Sequence, residues 1–320
     1  MKESLIEQYR ASLKSMDTEE HIDLWFYRPM GFLWAKLFAR LGFTPNVVTI
    51  LSIFLGVAGG ILLYPRLMWF NVLGMLLIIW ANTYDSADGQ LARMTKQYSR
   101  LGRILDGLSG DLWFVAIYFA LVFRELAFGD RWPVDYFSTH AWAIWTLAIA
   151  AGLCHAKQSA SADYYRQFHL YFLKGEAGSE LDDTAQLDEN YRQVTWRGHF
   201  WSKLTMMFYR NYTAQQEAHT PAMQRLRRLL AERWPGQMPP QRLRDDFRHG
   251  SLPLMKYTNM LSFNTRIIAM FVSVLIDMPW LYFAFELVVL NLMLVYMIVC
   301  HERLCRRMIG QINNGVYEGD

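Results

Sequence analysis

DSADGQLARMTKQYSRLGRILDGLSGD, residues 85–111, gathers Asp85, Asp88, Asp106 and Asp111 at the end of a long apolar run. Ionised side chains at a membrane edge are costly, so several together face a cavity, pair with opposite charge or hold metal. On a helix Asp85 and Asp88 share one face, with Gly89 and Ala92 at the next positions of that face. Gly102 and Asp106 repeat the pairing of a small residue with a carboxylate one turn on. Two such faces turned toward each other would offer hard oxygen ligands suited to Mg²⁺ or Mn²⁺ and room for a phosphate-bearing ligand. The plainer reading, helix-end charges in solvent, gives no reason for small residues at matched spacing.

The pattern Asp85-x-x-Asp88-Gly89-x-x-Ala92-Arg93, eight residues, then Gly102-x-x-x-Asp106 resembles the signature of the CDP-alcohol phosphotransferases, integral membrane enzymes of phospholipid synthesis. The resemblance implies movement of a substituted phosphate from a CDP-linked donor to the hydroxyl of an alcohol, with release of CMP. It also implies Asp85, Asp88, Asp106 and a fourth aspartate as ligands of two Mg²⁺ or Mn²⁺ ions, the last serving as base for the acceptor hydroxyl. Gly89, Ala92 and Gly102 would admit the nucleotide by lacking bulk, and Arg93 would reach a phosphate. Its plainer role is a cation reaching to the interface.

One position departs from the family pattern. The fourth aspartate should stand four residues after Asp106, where this chain has Gly110, and the nearest carboxylate is Asp111. Four residues turn a helix by about 40° past a full turn and five by about 140°, so Asp111 on a regular helix points away from Asp106. A single π-bulge absorbs one residue, and Gly107 and Gly110 weaken the helix enough to admit it. A local irregularity between Gly107 and Asp111 is therefore expected, with Asp111 as the displaced fourth aspartate beside Asp106, either a fourth ligand or the catalytic base. The alternative is a three-aspartate site with Asp111 outside it.

Composition places the motif in a mixed chain. Hydrophobic residues make up 53%, with 20 Phe, 17 Tyr, 12 Trp and 17 Met, yet net charge is only +3. Apolar runs near 46–64, 67–88, 103–124, 139–161, 262–279 and 281–300 are long enough to span a bilayer. The expected fold is an all-α integral membrane protein of six transmembrane helices; a soluble six-helix bundle is the alternative. The first span opens with Thr44-Pro45, a helix start, and the last two are joined by a tight turn at Asp277-Met278-Pro279. The charged N-terminal stretch lacks the apolar core of a cleavable signal. Residues 22–43 interleave Trp, Phe and Leu with Arg28, Lys36 and Arg40, as an amphipathic interfacial helix does. All but Arg66, Arg124 and Arg131 of the 32 lysines and arginines then fall on the side that holds both termini and the motif. Cytoplasmic loops carry that excess, so the expectation is a multi-pass protein of the bacterial inner membrane with its active site in the cytosol. Cys154, Cys300 and Cys305 have neither disulfide nor metal-site spacing and read as apolar filler.

The expected segments are 1–45, an N-terminal stretch with the amphipathic helix; 46–163, four spans with the motif; 164–257, a helical cytosolic insertion; and 258–320, two spans and a tail. The insertion opens on Glu176, Glu180, Asp182, Asp183, Asp188 and Glu189 and turns basic and aromatic. Thr220-Pro221 starts a helix that Trp234-Pro235-Gly236 stops, and MPPQRLRDDFRHG reads as another short helix. Its basic face fits a solvated lobe better than a site for anionic headgroups or RNA, and no nucleic-acid partner is expected.

For the acceptor, Lys157, His155 and Arg266 are the cations near span ends, candidates for a phosphate group; a lone buried His is more often structural. Asn82 could serve a ligand or a neighbouring helix. Three substrate pairings remain: CDP-diacylglycerol with a polar alcohol such as inositol phosphate or glycerol phosphate, which Lys157 and Arg266 favour; CDP-choline or CDP-ethanolamine with a lipid alcohol; and a CDP-linked polyol with a soluble acceptor. Outside the family the alternatives are a polytopic cation transporter and an inactive membrane scaffold. Membrane lipid is an expected partner, and the resemblance leaves a homodimer open.

Overall fold

A computed structural model describes residues 4–13, 15–129, 134–175, 181, 184–196, 198 and 200–318, and every regular element among them is helical. The acidic residues Glu176, Glu180, Asp182 and Asp183, and Arg131, lie outside the described residues. In order the helices are α1 (Leu5–Ser12), α2 (Arg28–Arg40), α3 (Pro45–Ile61), α4 (Met68–Thr95), α5 (Arg100–Phe128), α6 (Val134–Thr139), α7 (Ala141–Lys174), α8 (Thr184–Gln193), α9 (Phe200–Ala218), α10 (Pro221–Arg233), α11 (Gln241–Met260), α12 (Phe263–Leu275), α13 (Trp280–Phe285) and α14 (Asn291–Asn313). Two π-helical turns, Asp23–Tyr27 and Glu286–Leu290, lead into α2 and α14. The chain divides into two compact units, residues 1–154 with 264–287 and residues 155–263 with 288–320.

The first unit is organised by α3. Thr44 precedes it in extended conformation and Pro45 takes its first turn, where the missing N–H would have had no partner anyway. Gly56, Gly59 and Gly60 give α3 a bare face. A Cβ on Gly59 would stand 2.7 Å from the Gly74 carbonyl oxygen, and one on Gly74 would stand 2.7 Å from the Gly59 carbonyl oxygen, so α3 and α4 touch backbone to backbone. On the α5 side, a Cβ on Gly56 would collide with the Trp113 indole and one on Gly60 would come 3.0 Å from the Ile117 nitrogen. Helices α4 and α5 each pack extensively on α3 and only slightly on each other.

Helix α2 lies on the motif end of α4. Ala35 and Phe38 form a buried cluster with Val48, Ala87 and Leu91, and the Tyr84 ring meets Trp34 and Phe38 edge-on at 5.1 and 5.2 Å. Its other face leaves Met30, Leu33 and Leu37 exposed, so α2 is apolar on two sides.

At the opposite end of α4 the free carbonyls closing α3 need partners. Asn71 Nδ2 donates to the Leu62 and Pro65 carbonyls at 3.2 and 2.8 Å, and Arg124 Nη1 to the Leu63 carbonyl at 2.9 Å and Asn71 Oδ1 at 2.8 Å. Asp277, in the turn after α12, accepts from Arg124 at 2.9 Å and pairs with Arg66 at 2.5 Å. Glu125 accepts the Trp280 N–H at 2.7 Å. This polar clamp ties the α3–α4 connection, the end of α5 and the α12–α13 turn together.

In the second unit, Glu302 of α14 accepts the N–H groups of Ala222 and Met223 at 2.7 and 3.2 Å, a carboxylate at the positive end of α10. Helix α10 runs from Pro221 to its cap at Trp234 and buries Leu226 and Leu230, as the sequence indicates. The short helix expected from MPPQRLRDDFRHG is instead the 20-residue α11, which runs through Pro253. Tertiary anchoring outweighs the proline: Arg244 donates to the Phe172 and Leu173 carbonyls ending α7 at 2.9 and 3.0 Å, and Phe247 stacks on Phe172 at 3.8 Å.

Of the six expected spans, two helical stretches among the described residues, Gln241–Leu275 and Trp280–Asn313, are long and apolar enough to cross a membrane by length and composition, and Pro45–Ile61 is a shorter apolar helix. Helix α4 has the length at 28 residues, but Asn82, Asp85, Asp88 and Arg93 dilute its apolarity. The functional motif itself weakens the hydropathy signal.

The glycine contacts predict a sharp contrast. Gly59→Ala should cost about 1–3 kcal/mol by forcing α3 off α4, whereas Gly107→Ala, where an added Cβ meets nothing within 4 Å, should gain up to about 1 kcal/mol in helix propensity. Thermal melting of the purified variants would read both signs.

Candidate metal centre

Three of the four aspartates converge. Asp85 and Asp88 on α4 and Asp106 on α5 each offer one carboxylate oxygen, and these oxygens lie within 4.8 Å of one another. Asp88 is buried, Asp85 half-buried and Asp106 exposed, so the group opens outward at Asp106. Helix geometry supplies the first two, three residues apart on α4, and the packing of α4 and α5 on α3 supplies the third.

Hydroxyls hold the two α4 carboxylates. Thr49 of α3 donates to Asp88 Oδ2 at 2.5 Å, and Ser109 of α5 donates to Asp85 Oδ1 at 2.7 Å. Both hydroxyls are buried. Two carboxylates held this close repel by roughly 3–4 kcal/mol at an effective dielectric of about 20, a cost that a bound cation offsets. Hard oxygen donors from three carboxylates suit Mg²⁺ or Mn²⁺.

Asp111 is not in the group. Helix α5 is regular from Arg100 to Phe128, so the irregularity expected between Gly107 and Asp111 is absent, and a five-residue step turns Asp111 about 140° from Asp106. Asp111 is exposed. Glycine weakens a helix by only about 1 kcal/mol, less than the price of bringing a fourth negative charge into an already acidic group. At Gly110, where the fourth carboxylate was expected, an added Cβ would meet nothing within 4 Å.

The small residues of the motif make room for protein groups. A Cβ on Gly89 would stand 3.4 Å from the Arg93 guanidinium, and Arg93 Nε donates to the Ser12 carbonyl at 2.5 Å. A Cβ on Gly102 would stand 2.5 Å from Asn46 Oδ1, which accepts from Ser99 at 3.1 Å. Ala92 is half-buried on α4. Asn82 lies beside Tyr27 of the π-helical turn before α2.

Arg28 comes from outside the motif. It pairs with Glu19 at 2.9 Å and donates to Ser86 at 3.1 Å, while its carbonyl accepts from Gln90 at 3.1 Å. This places a cation beside the acidic group. Neither Thr49, Ser109 nor Arg28 stands out in the sequence, because a lone hydroxyl or arginine has no spacing signal.

The acceptor candidates have partners of their own. Arg266 is buried in the first unit and pairs with Glu286 at 2.7 Å, whose carboxylate also accepts from Tyr282 at 2.5 Å and from Tyr118. In the second unit Lys157 is exposed, its Nζ 3.0 Å from His219 Nε2, and His155 is buried.

Residues 43–166 match the family model described as CDP-alcohol phosphatidyltransferase. The match takes in α3, α4, α5, α6 and α7 as far as Arg166, and with them all three clustered aspartates. No curated protein and no solved structure shows a significant match to the chain. The family transfers phosphatidyl groups from CDP-alcohols and generally uses a divalent metal. The aspartate cluster and the helices α3, α4 and α5 that carry and support it thus lie within residues 43–166, the stretch similar to the CDP-alcohol phosphatidyltransferase family model.

Proposed function

We propose that this protein is a multi-pass membrane enzyme that moves the phosphatidyl group of CDP-diacylglycerol to the hydroxyl of a polar alcohol of the inositol phosphate or glycerol phosphate type, releasing CMP. The observation that carries the reading is the convergence of Asp85, Asp88 and Asp106 within 4.8 Å inside the matched domain. These three carboxylates would hold one or two Mg²⁺ or Mn²⁺ ions, which when bound neutralise pyrophosphate charge and stabilise the departing CMP. Asp88, buried and tied to Thr49, and Asp85, tied to Ser109, are the fixed members. Asp106, the most exposed of the three, is the carboxylate best placed to take the acceptor's proton. Arg93, whose Nε donates to the Ser12 carbonyl, would contribute positive charge toward the donor's phosphates, whereas Glu19 offsets much of the charge of Arg28.

A phosphorylated acceptor is the reading that the cations Lys157 and Arg266 favour in the sequence. Arg266 supports it less than the sequence suggests, because Glu286 offsets its charge. The six-span arrangement, with the motif and both termini in the cytosol, is supported by the charge distribution and by two exposed tryptophans, Trp69 at the start of α4 and Trp25 in the turn before Arg28. About 26 Å of helix separates Trp69 from Ser86, the residue that Arg28 contacts, close to the ~30 Å hydrocarbon core. Tryptophan favours both interfaces of that core.

Purified protein given labelled CDP-diacylglycerol, Mg²⁺ or Mn²⁺ and each polar acceptor should release CMP, and Asp88→Asn should lower the rate by about 100-fold or more. Absence of turnover with every polar acceptor, or turnover only with CDP-choline or CDP-ethanolamine and diacylglycerol, would reject the substrate assignment. Unchanged activity in D88N would reject the metal centre.

The position of Asp111 gives a second expectation. Asp111→Asn should leave CMP release unchanged, whereas Gly110→Asp, entering open space beside the cluster, should tighten Mn²⁺ binding by about tenfold, ~1.4 kcal/mol. A large loss of turnover in D111N with normal folding would restore Asp111 to the mechanism.

A further inference from the structure

The geometry points to Ser109 as a positioning residue for the metal centre, one that sets the orientation of Asp85 and so the affinity for the divalent cation. The inference rests on the proposed metal centre and adds to it a residue outside the aspartate pattern.

Ser109 is 2% exposed, three residues beyond Asp106 on a regular helix and next to Gly110. Its hydroxyl lies 2.7 Å from Asp85 Oδ1 and 2.8 Å from the Asp106 carbonyl oxygen of its own helix. A hydroxyl has one proton, and a carboxylate is the stronger acceptor, so the proton goes to Asp85. The Asp106 carbonyl already has the helical N–H four residues on. The serine is therefore not needed to satisfy its own helix, and its burial against Asp85 is a choice of partner.

That choice has a geometric consequence. A carboxylate on a helix rotates about its last bond, and fixing one oxygen fixes the plane of the group. Hydrogen bonds to ligating side chains hold their donor atoms in place, and losing such a partner typically lowers metal affinity about 10- to 100-fold. Asp88 has the corresponding bond from Thr49 on the other flanking helix. With Gly110 supplying no carboxylate, α5 contributes Asp106 as a ligand and Ser109 as the group that aims a ligand on α4.

Mn²⁺ titration of the full-length protein, with free Mn²⁺ read by its paramagnetic resonance signal, tests this on wild type, Ser109→Ala, Ser109→Thr and Asp88→Asn. S109A should bind Mn²⁺ about 10- to 100-fold more weakly and need correspondingly more Mn²⁺ for half-maximal CMP release, with kcat at saturating Mn²⁺ near wild type. S109T, which keeps the hydroxyl, should recover most of the affinity, and D88N should bind no Mn²⁺ at the centre. Wild-type affinity in S109A, or S109T as weak as S109A, overturns the role of Ser109 while a silent D88N leaves the metal centre standing. Wild-type Mn²⁺ binding in D88N overturns the metal centre and this inference with it.

Discussion

Backbone contact between α3 and its neighbours is the constraint on which the site depends. Carboxylates on separate helices repel, and nothing in the motif itself draws α4 toward α5. The bare face of α3 does so indirectly, letting α4 approach until Gly59 and Gly74 touch and letting the Trp113 ring of α5 settle over Gly56. Each contact removes the thickness of a side chain from the distance between helices, which ordinarily lie 8–10 Å apart. The acidic cluster is then a product of packing remote from it, and Thr49 on the same helix returns part of the cost by donating to the buried Asp88.

The clustering of the motif's aspartates is legible because helical periodicity converts spacing into shared faces. Asp85 and Asp88 needed no tertiary information, and Asp106 needed only the assumption that two helices face each other. The helix starts at Pro45 and Pro221 were also legible, since a proline at the first turn is a local signal. A local weakness alone does not decide a conformation in this chain. Gly107 and Gly110 permit an irregular helix but do not favour one, and α5 stays regular. Pro253 likewise does not stop α11, which is held from outside by Arg244 and Phe247.

Arg266 illustrates a different limit. As an isolated cation in an apolar segment it invites a ligand, but its partner Glu286 lies twenty residues on, across the Asp277 turn, in the π-helical turn before α14. Pairs formed between helices leave no trace in spacing, and the same holds for Ser109 with Asp85 and Arg28 with Ser86. The hydrogen bonds that hold the clustered aspartates follow only from how the helices pack. Conversely, the small residues of the motif, which suggest room for a nucleotide, are filled in part by Arg93 and Asn46.

The polar clamp at the far end of α4 has an electrical consequence. Arg66 and Arg124 both pair with Asp277 there, and the Glu125 carboxyl group beside them accepts the Trp280 N–H. A lone elementary charge carried across a membrane potential changes energy by about 2.3 kcal/mol per 100 mV, which would make any movement of these helices sensitive to voltage. Pairing the arginines with Asp277 reduces the net charge on which the field can act. In an energised membrane this end of the bundle would present less net charge to the field than its two arginines alone, and the acidic centre at the other end would be the place where charge enters and leaves.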